Sequence, residues 1–543
     1  MTNVVVSNDS STVLNSTVTD SGDKGAQQLL DFSLLGVLIV SSLVFYGLST
    51  HGTWNPLYEG TAYGVPPERF FLAQAQAITH GRLWVNPSQL YGDCFVHDGR
   101  CYGYFGLTPS LLRLPLLPLL DHYRNGFTPV FITAGLTLAA GGFLASLRHV
   151  FSRMRLGKAA SLLVALLGFG FGAASILAHL SPPDVYDEAI VWSVGFLSLA
   201  VFCFIRWWER QQSRWYVLLL VSLVMATNAR PTALPFALII GLGVGYRLWN
   251  LRRIGSVDWA KSVVLGSVMV VVPMATCIGV FLLKFGQPIP SYLLDQQVGS
   301  ALGFPPPSPN WVEIRKRDHN QLTSLRFMAT AMFAYLRPDT LVFTRAFPWV
   351  DFRFHDLRNL NIQYIGLRKG SLYVETVSSL TATMPFSFLV FFGAALYRLR
   401  RWGAAEVRHL LPSPSLRSGT SWKGIALAAA FASWCVVLVG VAVEDRFLGD
   451  AYPLVALLLL FGLPSLVKRV DRGGRVLKAG AIVVVVVGMS WQLLVNVGLA
   501  WRFPGIQARH HHDAAAQPLP HDPSINARVV RPEIMDRGQR QDA

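Results

Sequence analysis

From residue 32 to residue 500 the chain is a succession of apolar runs separated by short polar breaks. The runs are roughly 20 residues long, enough for a helix to cross a hydrocarbon core of ~30 Å. Eleven spans are predicted: 32–49, 126–147, 159–179, 187–206, 215–229, 232–248, 262–284, 376–397, 423–441, 446–467 and 479–500. The period-two alternation of a membrane barrel is absent. The predicted fold class is therefore an all-α polytopic membrane protein of about 11 transmembrane helices, with external loops carrying short surface helices.

The polar breaks set its direction. Basic residues follow the second span (Arg148, Arg153, Arg155, Lys158), the fourth (Arg206, Arg210, Arg214), the sixth (Arg247, Arg252, Arg253, Lys261), the eighth (Arg398 to Lys423) and the tenth (Lys468 to Lys478). With eleven spans all five sets share one side, which the positive-inside rule makes the cytoplasm. The N-terminus is then inside and the C-terminus outside. Residues 105–120 are apolar enough to cross, but crossing would invert the next basic loop. Pro109, Pro115, Pro118 and Arg113 interrupt the run, and proline removes a helix hydrogen bond. It is read as short helices at the outer surface.

The expected organisation is a disordered cytoplasmic segment 1–31, a transmembrane module 32–284 with a first external loop 50–125, a long external loop 285–375, C-terminal helices 376–501 and a disordered external tail 502–543. In the long loop, Leu322, Leu325, Ala329, Met332, Phe333 and Leu336 recur at helical spacing. That stripe predicts a helix lying on the outer leaflet or capping a cavity, or one packed against the other external loops.

Composition agrees. Of 543 residues 14% are charged and 52% hydrophobic, against roughly 25% charged in soluble domains. The net charge of +16 resides in the short loops, so it argues for topology and against nucleic acid. Cys203, Cys277 and Cys435 fall in apolar spans and are expected to be small buried residues. Cys94 and Cys101 fall outside, where an oxidising compartment would let them close a small loop around Asp98. A zinc site there would lack ligands, since His97 adds one at most.

Candidate chemistry lies on the outer side. Acids there include Glu68, Asp93, Asp98 and the pair Asp187 and Glu188 at the mouth of the fourth span. A carboxylate so placed can take a proton from a hydroxyl. Arg230, between two short spans in "NARPT", and Arg446, in "EDRFLGDAYP", would each match a phosphate with paired hydrogen bonds. Each could equally snorkel to headgroups or, for Arg446, pair with Glu444 or Asp445.

Several stretches, in order, resemble a known group: "FFLAQAQAITHGRLWV", "HDGRCYGYFGLTPSLLRLPLLPL", "YDEAIVWSVGF", "NARPTALPFAL" and "KFGQPIPSY". They resemble the GT-C superfamily of integral-membrane glycosyltransferases, and within it bacterial relatives of protein O-mannosyltransferases and aminoarabinose lipid A transferases. The resemblance covers most of 32–500. It implies a polyprenyl-phosphate-linked sugar donor, a glycan, lipid or protein acceptor, and an active face outside the cytoplasm at a bacterial plasma membrane. It implies Glu68 or Asp93 as catalytic base and Arg230 or Arg446 at the lipid phosphate, with Asp98, Tyr102, Tyr104, Asp187 and Glu188 as substrate-cavity candidates. Many members carry Asp-Glu before the first-loop helix where this chain has Pro67-Glu68. Either Glu68 is the base, or Asp93 has taken the role, or activity is lost. Some members use a divalent metal, but no ligand set is legible. The rival readings are a multi-pass transporter or lipid flippase, which internal repeats and midplane charges would mark, and a non-catalytic envelope-assembly protein.

Overall fold

The computed structural model describes residues 14–58, 69–86, 89–90, 95–120, 127–154, 156–253, 258–288, 325–352, 373–374, 378–385, 421–439, 442–443 and 445–516; at 14–24, 95–96, 326, 330, 373–374, 421, 442–443, 445–446 and 503–516 only the backbone is described. Among these residues eight helices are long and apolar enough to cross a membrane: Gly25–Ser49, Thr128–Phe151, Lys158–Leu180, Val185–Arg210, Pro231–Arg253, Trp259–Phe285, Phe447–Arg472 and Arg475–Arg502. Ser213–Ala229 and Trp422–Leu438 are shorter apolar helices at two further expected spans. Most of the remaining span, 376–397, lies outside the described residues. The protein is an all-α polytopic membrane protein.

In chain order the main elements are α1 (Leu14–Ser49), α2 (Phe70–Thr79), the hairpin β1 (Phe95–His97) and β2 (Arg100–Tyr102), α3 (Thr108–Arg113), α4 (Leu117–Leu120), α5 (Thr128–Phe151), α6 (Lys158–Phe171), α7 (Val185–Arg210), α8 (Ser213–Ala229), α9 (Leu234–Arg253) and α10 (Trp259–Phe285). Then come α11 (Leu325–Leu336), the antiparallel pair β3 (Leu341–Phe343) and β4 (Val350–Phe352), and β5 (Tyr373–Val374), which pairs in parallel with β6 (Ala442–Val443). The single-turn α12 (Leu380–Thr383), α13 (Ser421–Leu438), α14 (Tyr452–Arg472) and α15 (Arg475–Ala516) complete the order.

The centre of the bundle is α7, packed between α5 and α8. Close approach of α5 and α7 depends on glycine, as membrane helix contacts commonly do. A Cβ on Gly142 would lie 2.6 Å from the Ser198 backbone, and one on Gly195 would lie 2.8 Å from the Gly135 carbonyl. α6 ends at Gly172, and its last carbonyls need partners. The buried Tyr452 hydroxyl supplies one, donating to the Phe171 carbonyl at 2.9 Å. Tyr452→Phe should lower stability by about 1 kcal/mol with unchanged helix content, read as an earlier unfolding midpoint in detergent.

The basic loops gather as their charge pattern predicts. Arg153 and His149 both pair with Glu209, and Arg206 donates to His149 Nδ1 at 3.0 Å. Arg247 lies over Trp208, while Lys478 pairs with Asp471, whose carboxylate lies beside Gly157. Residues from four of the five basic sets thus meet at one end of the bundle. The first loop lies at the other.

Helix α1 begins at Leu14 and α15 ends at Ala516, outside the expected spans 32–49 and 479–500. Two further expectations change. The span 159–179 is two pieces, α6 and a 3-10 turn Ile176–Leu180 capped by Ser175. In α11 the buried face is Phe327, Ala331, Ala334 and Tyr335, whereas Leu325 is 81% and Phe333 37% exposed. The helix is rotated from the predicted stripe because the small residues let it enter the main core, beside α13.

Candidate functional site

The first loop is built to dock. α2 ends in a Schellman-type cap: Gly81, at φ +68, donates to the Ile78 carbonyl, and Arg82 N–H donates to Ala77 at 2.9 Å. The chain then pairs Val85 with Cys101, extending the β1–β2 hairpin. The hairpin turns on Asp98 and Gly99, both at positive φ, the Asp-Gly signature of a tight two-residue turn. Asp98 is therefore a turn-forming residue at the tip. It is 82% exposed and faces His97 at 3.6 Å.

Beyond the hairpin the proline-broken run folds back in three short pieces, α3, a 3-10 turn Leu114–Leu116 and α4. Five polar ties fix this segment to the ends of the bundle helices. Arg113 donates to both carboxylate oxygens of Glu188, to Oε2 at 2.9 Å, and its guanidinium lies 3.9 Å over Phe131. Thr108 Oγ1 donates to the Met225 carbonyl at 2.7 Å. Gly106 N–H reaches the Ala229 carbonyl at 3.3 Å. The Lys284 ammonium donates to the carbonyls of Gly103 (3.1 Å) and Phe105 (2.6 Å). Within the loop Ser110 donates to Gln74 at 2.7 Å, joining α3 to α2.

At the same end of the bundle several polar residues gather at the helix ends. Asp184 caps α7, accepting from Tyr186 N–H at 3.2 Å, and buried Asp187 and Glu188 occupy the first turn, where the helix dipole favours negative charge. α7 also packs against the 3-10 segment Asp445–Ala451, which carries Asp450. Arg230, in the extended break after α8, meets Asp450 with Nη1 3.0 Å from Oδ2. Its guanidinium lies 4.9 Å from the Phe447 ring. Asn228, two residues earlier, bridges to Thr276 of α10 at 3.0 Å.

The predicted site residues therefore separate. Arg230 lies at the mouth, 15% exposed. Asp187 is buried in the first turn of α7. Glu188, expected to line a substrate cavity, is fully buried against Arg113 and serves as a clamp; a two-pronged pairing leaves its oxygens no opening to a ligand. Tyr102, also expected in the cavity, packs with Cys277, Phe281 and Phe285. Tyr104 is half-buried beside Phe105 and Tyr186. Cys101 is disulfide-bonded; Cys94, Asp93 and Glu68 lie outside the described residues, as does the Arg446 side chain. Among the described residues no cluster of His, Cys, Asp or Glu could hold a metal.

Reading the sequence missed Arg113, Lys284 and Asp450. Each is an ionisable residue within or at the end of an apolar run, a signal that marks a functional or structural partner by default.

No family model matches the chain, and no curated protein does. Among solved structures it is similar to the Archaeoglobus fulgidus oligosaccharyltransferase, solved tethered to an acceptor peptide containing the NVT sequon through a disulfide bond. The TM-score is 0.40 at 14% identity, covering 92% of this chain and 60% of that one. Likeness at this level assigns no residue a role.

Proposed function

We propose that the protein is a membrane glycosyltransferase that moves a sugar from a polyprenyl-phosphate donor to an envelope acceptor, at the end of the bundle covered by the first loop. The observation that carries this reading is Arg230. It sits partly open at the mouth, and among the described residues its side chain has a single charged partner, Asp450, with no aligned hydrogen bond. A guanidinium has five donors in a planar fork. One held in low dielectric with donors to spare is suited to a phosphate.

In this reading the donor's chain lies in the bilayer and its head reaches the mouth. Glu68 or Asp93 accepts the proton of the acceptor hydroxyl. The hydroxyl oxygen bonds to the anomeric carbon as the bond to the phosphate oxygen breaks, and the electron pair leaves with the lipid phosphate. Arg230, with Arg446 beside Asp450 in sequence, stabilises that developing charge. Asp450 holds Arg230 in place. The end bearing the first loop faces out of the cytoplasm, in keeping with the basic loops opposite.

The test is transfer of radiolabelled hexose from a synthetic polyprenyl phosphate by purified protein. Arg230→Ala is expected to lower kcat by roughly a hundredfold, with Arg230→Lys recovering part of it. Glu68→Gln or Asp93→Asn, whichever replaces the base, is expected to abolish turnover. Transfer at the parent rate by all of these variants would refute the reading.

A further inference from the structure

A cavity of about 600 Å³ opens on the first loop, away from the mouth, between the end of α2 and the β1–β2 hairpin. That is within the ~300–1,000 Å³ range of small-molecule sites. Its walls include Gln76, His80, Arg82, Trp84, Asn86 and Arg100. Arg100 lies with its guanidinium 3.9 Å over the Trp84 ring, and Trp84 packs against the Tyr102, Phe281 and Phe285 cluster beneath. The stack fixes the plane of the guanidinium while leaving its in-plane N–H groups to other partners. Arg82 is held by the cap at Gly81, whose hydrogen bonds use its backbone and leave its side chain to the cavity.

Among the described residues the charge balance is one-sided. Among the described residues no acid lines the cavity, and neither Arg82 nor Arg100 has an ion pair. The acid next in sequence, Asp98, faces His97 at the hairpin tip. Beside the two cations stand three amides, Gln76, Asn86 and Gln89, which suit hydroxyls. Ala73, Ala77, Trp84 and Val85 also line the cavity.

We infer that this cavity binds a hydroxyl-rich anion, a saccharide bearing a phosphate or carboxylate, with Arg100 and Arg82 on the anionic group and the amides on the sugar. The site is separate from Arg230 and its occupancy does not require sugar transfer. The saccharide could be soluble or the headgroup of an anionic glycolipid; the anion chemistry is shared.

The test is calorimetric titration of the full chain in phosphatidylcholine nanodiscs with glucose 1-phosphate, glucuronate and, as neutral control, glucose. The anions are expected to bind and glucose at least tenfold more weakly. Arg100→Gln and Arg82→Gln should each weaken anion binding about tenfold or more, at an unchanged unfolding midpoint, since both side chains are exposed. Arg100→Lys, which keeps the charge and loses the planar stack, should fall between. Arg230→Ala should leave the glucuronate titration as it was, since that anion carries no phosphate, so failure here and failure of the transferase reading are distinguishable. Repeating the titration in discs containing a phosphorylated glycolipid separates the sources: competition points to a headgroup ligand, and no competition to a soluble one. Equal binding of glucose, no binding of either anion, unchanged affinity in both glutamine variants, or loss of glucuronate binding in Arg230→Ala would overturn the inference.

Discussion

Glu188→Ala is expected to destabilise the protein by roughly 3–5 kcal/mol. Neither side chain of the Arg113–Glu188 pair has any exposed surface, so truncating one leaves the other charge buried without its counter-ion. Among the described residues Arg113 would keep the Pro109 carbonyl at 3.2 Å, Thr128 Oγ1 at 3.4 Å and the rings of Phe131 and Phe71. None of these neutralises a guanidinium. The double variant Arg113→Met/Glu188→Leu should recover most of the loss, because removing both charges also removes their desolvation penalty. Thermal unfolding of parent, both single variants and the double variant in one detergent measures the cycle. If the double variant were less stable than either single one, the pair would owe its place to something other than mutual neutralisation.

Gly106→Ala is expected to have the second largest effect, about 3 kcal/mol. A Cβ there would stand 1.8 Å from the Asn228 carbonyl oxygen and 2.3 Å from its carbon. Both are backbone atoms at the end of α8 and cannot swing aside. The loop would have to lift, stretching the Gly106–Ala229 hydrogen bond and the two Lys284 contacts nearby. Limited proteolysis should then cut the first loop faster in the variant than in the parent. Equal protection would mean that the contact is softer than its geometry implies.

How far the sequence disclosed this arrangement depends on the range of the interaction. Spans such as 187–206 and 262–284 were legible because membrane insertion is decided by a local sum of side-chain transfer energies. The short pieces of 105–120 were legible for a similarly local reason: Pro109, Pro115 and Pro118 crowd one short run, whereas single prolines, Pro273 and Pro464, are carried inside α10 and α14. The face of α11 was not, since Leu325 and Phe333 are as apolar as the residues that do face inward. Only the space available beside α13 chose Phe327, Ala331 and Ala334 instead.

The site divides along the same line. Arg230 could be nominated from its position between two short spans, and its meeting with Asp450 could not, being a contact across 220 residues of chain. Glu188 illustrates the converse. Its place in the first turn of a span suggested an open carboxylate, and nothing nearby in sequence announced that Arg113 would reach it from 75 residues away. The turn at Asp98 was legible on local grounds, because an Asp-Gly pair between residues of high strand propensity is the signature of a tight hairpin.

The fastening of the first loop has a consequence for traffic. Lys284 joins it to α10, Arg113 to α7, and Thr108 with Gly106 to α8. Segments that open readily are those with few buried contacts, and this one is tied on three sides. It therefore acts as a lintel and not as a door. In the proposed reaction a donor coming to Arg230 meets a fixed cover, so the size of molecule admitted would be set by packing and not by a loop that swings open.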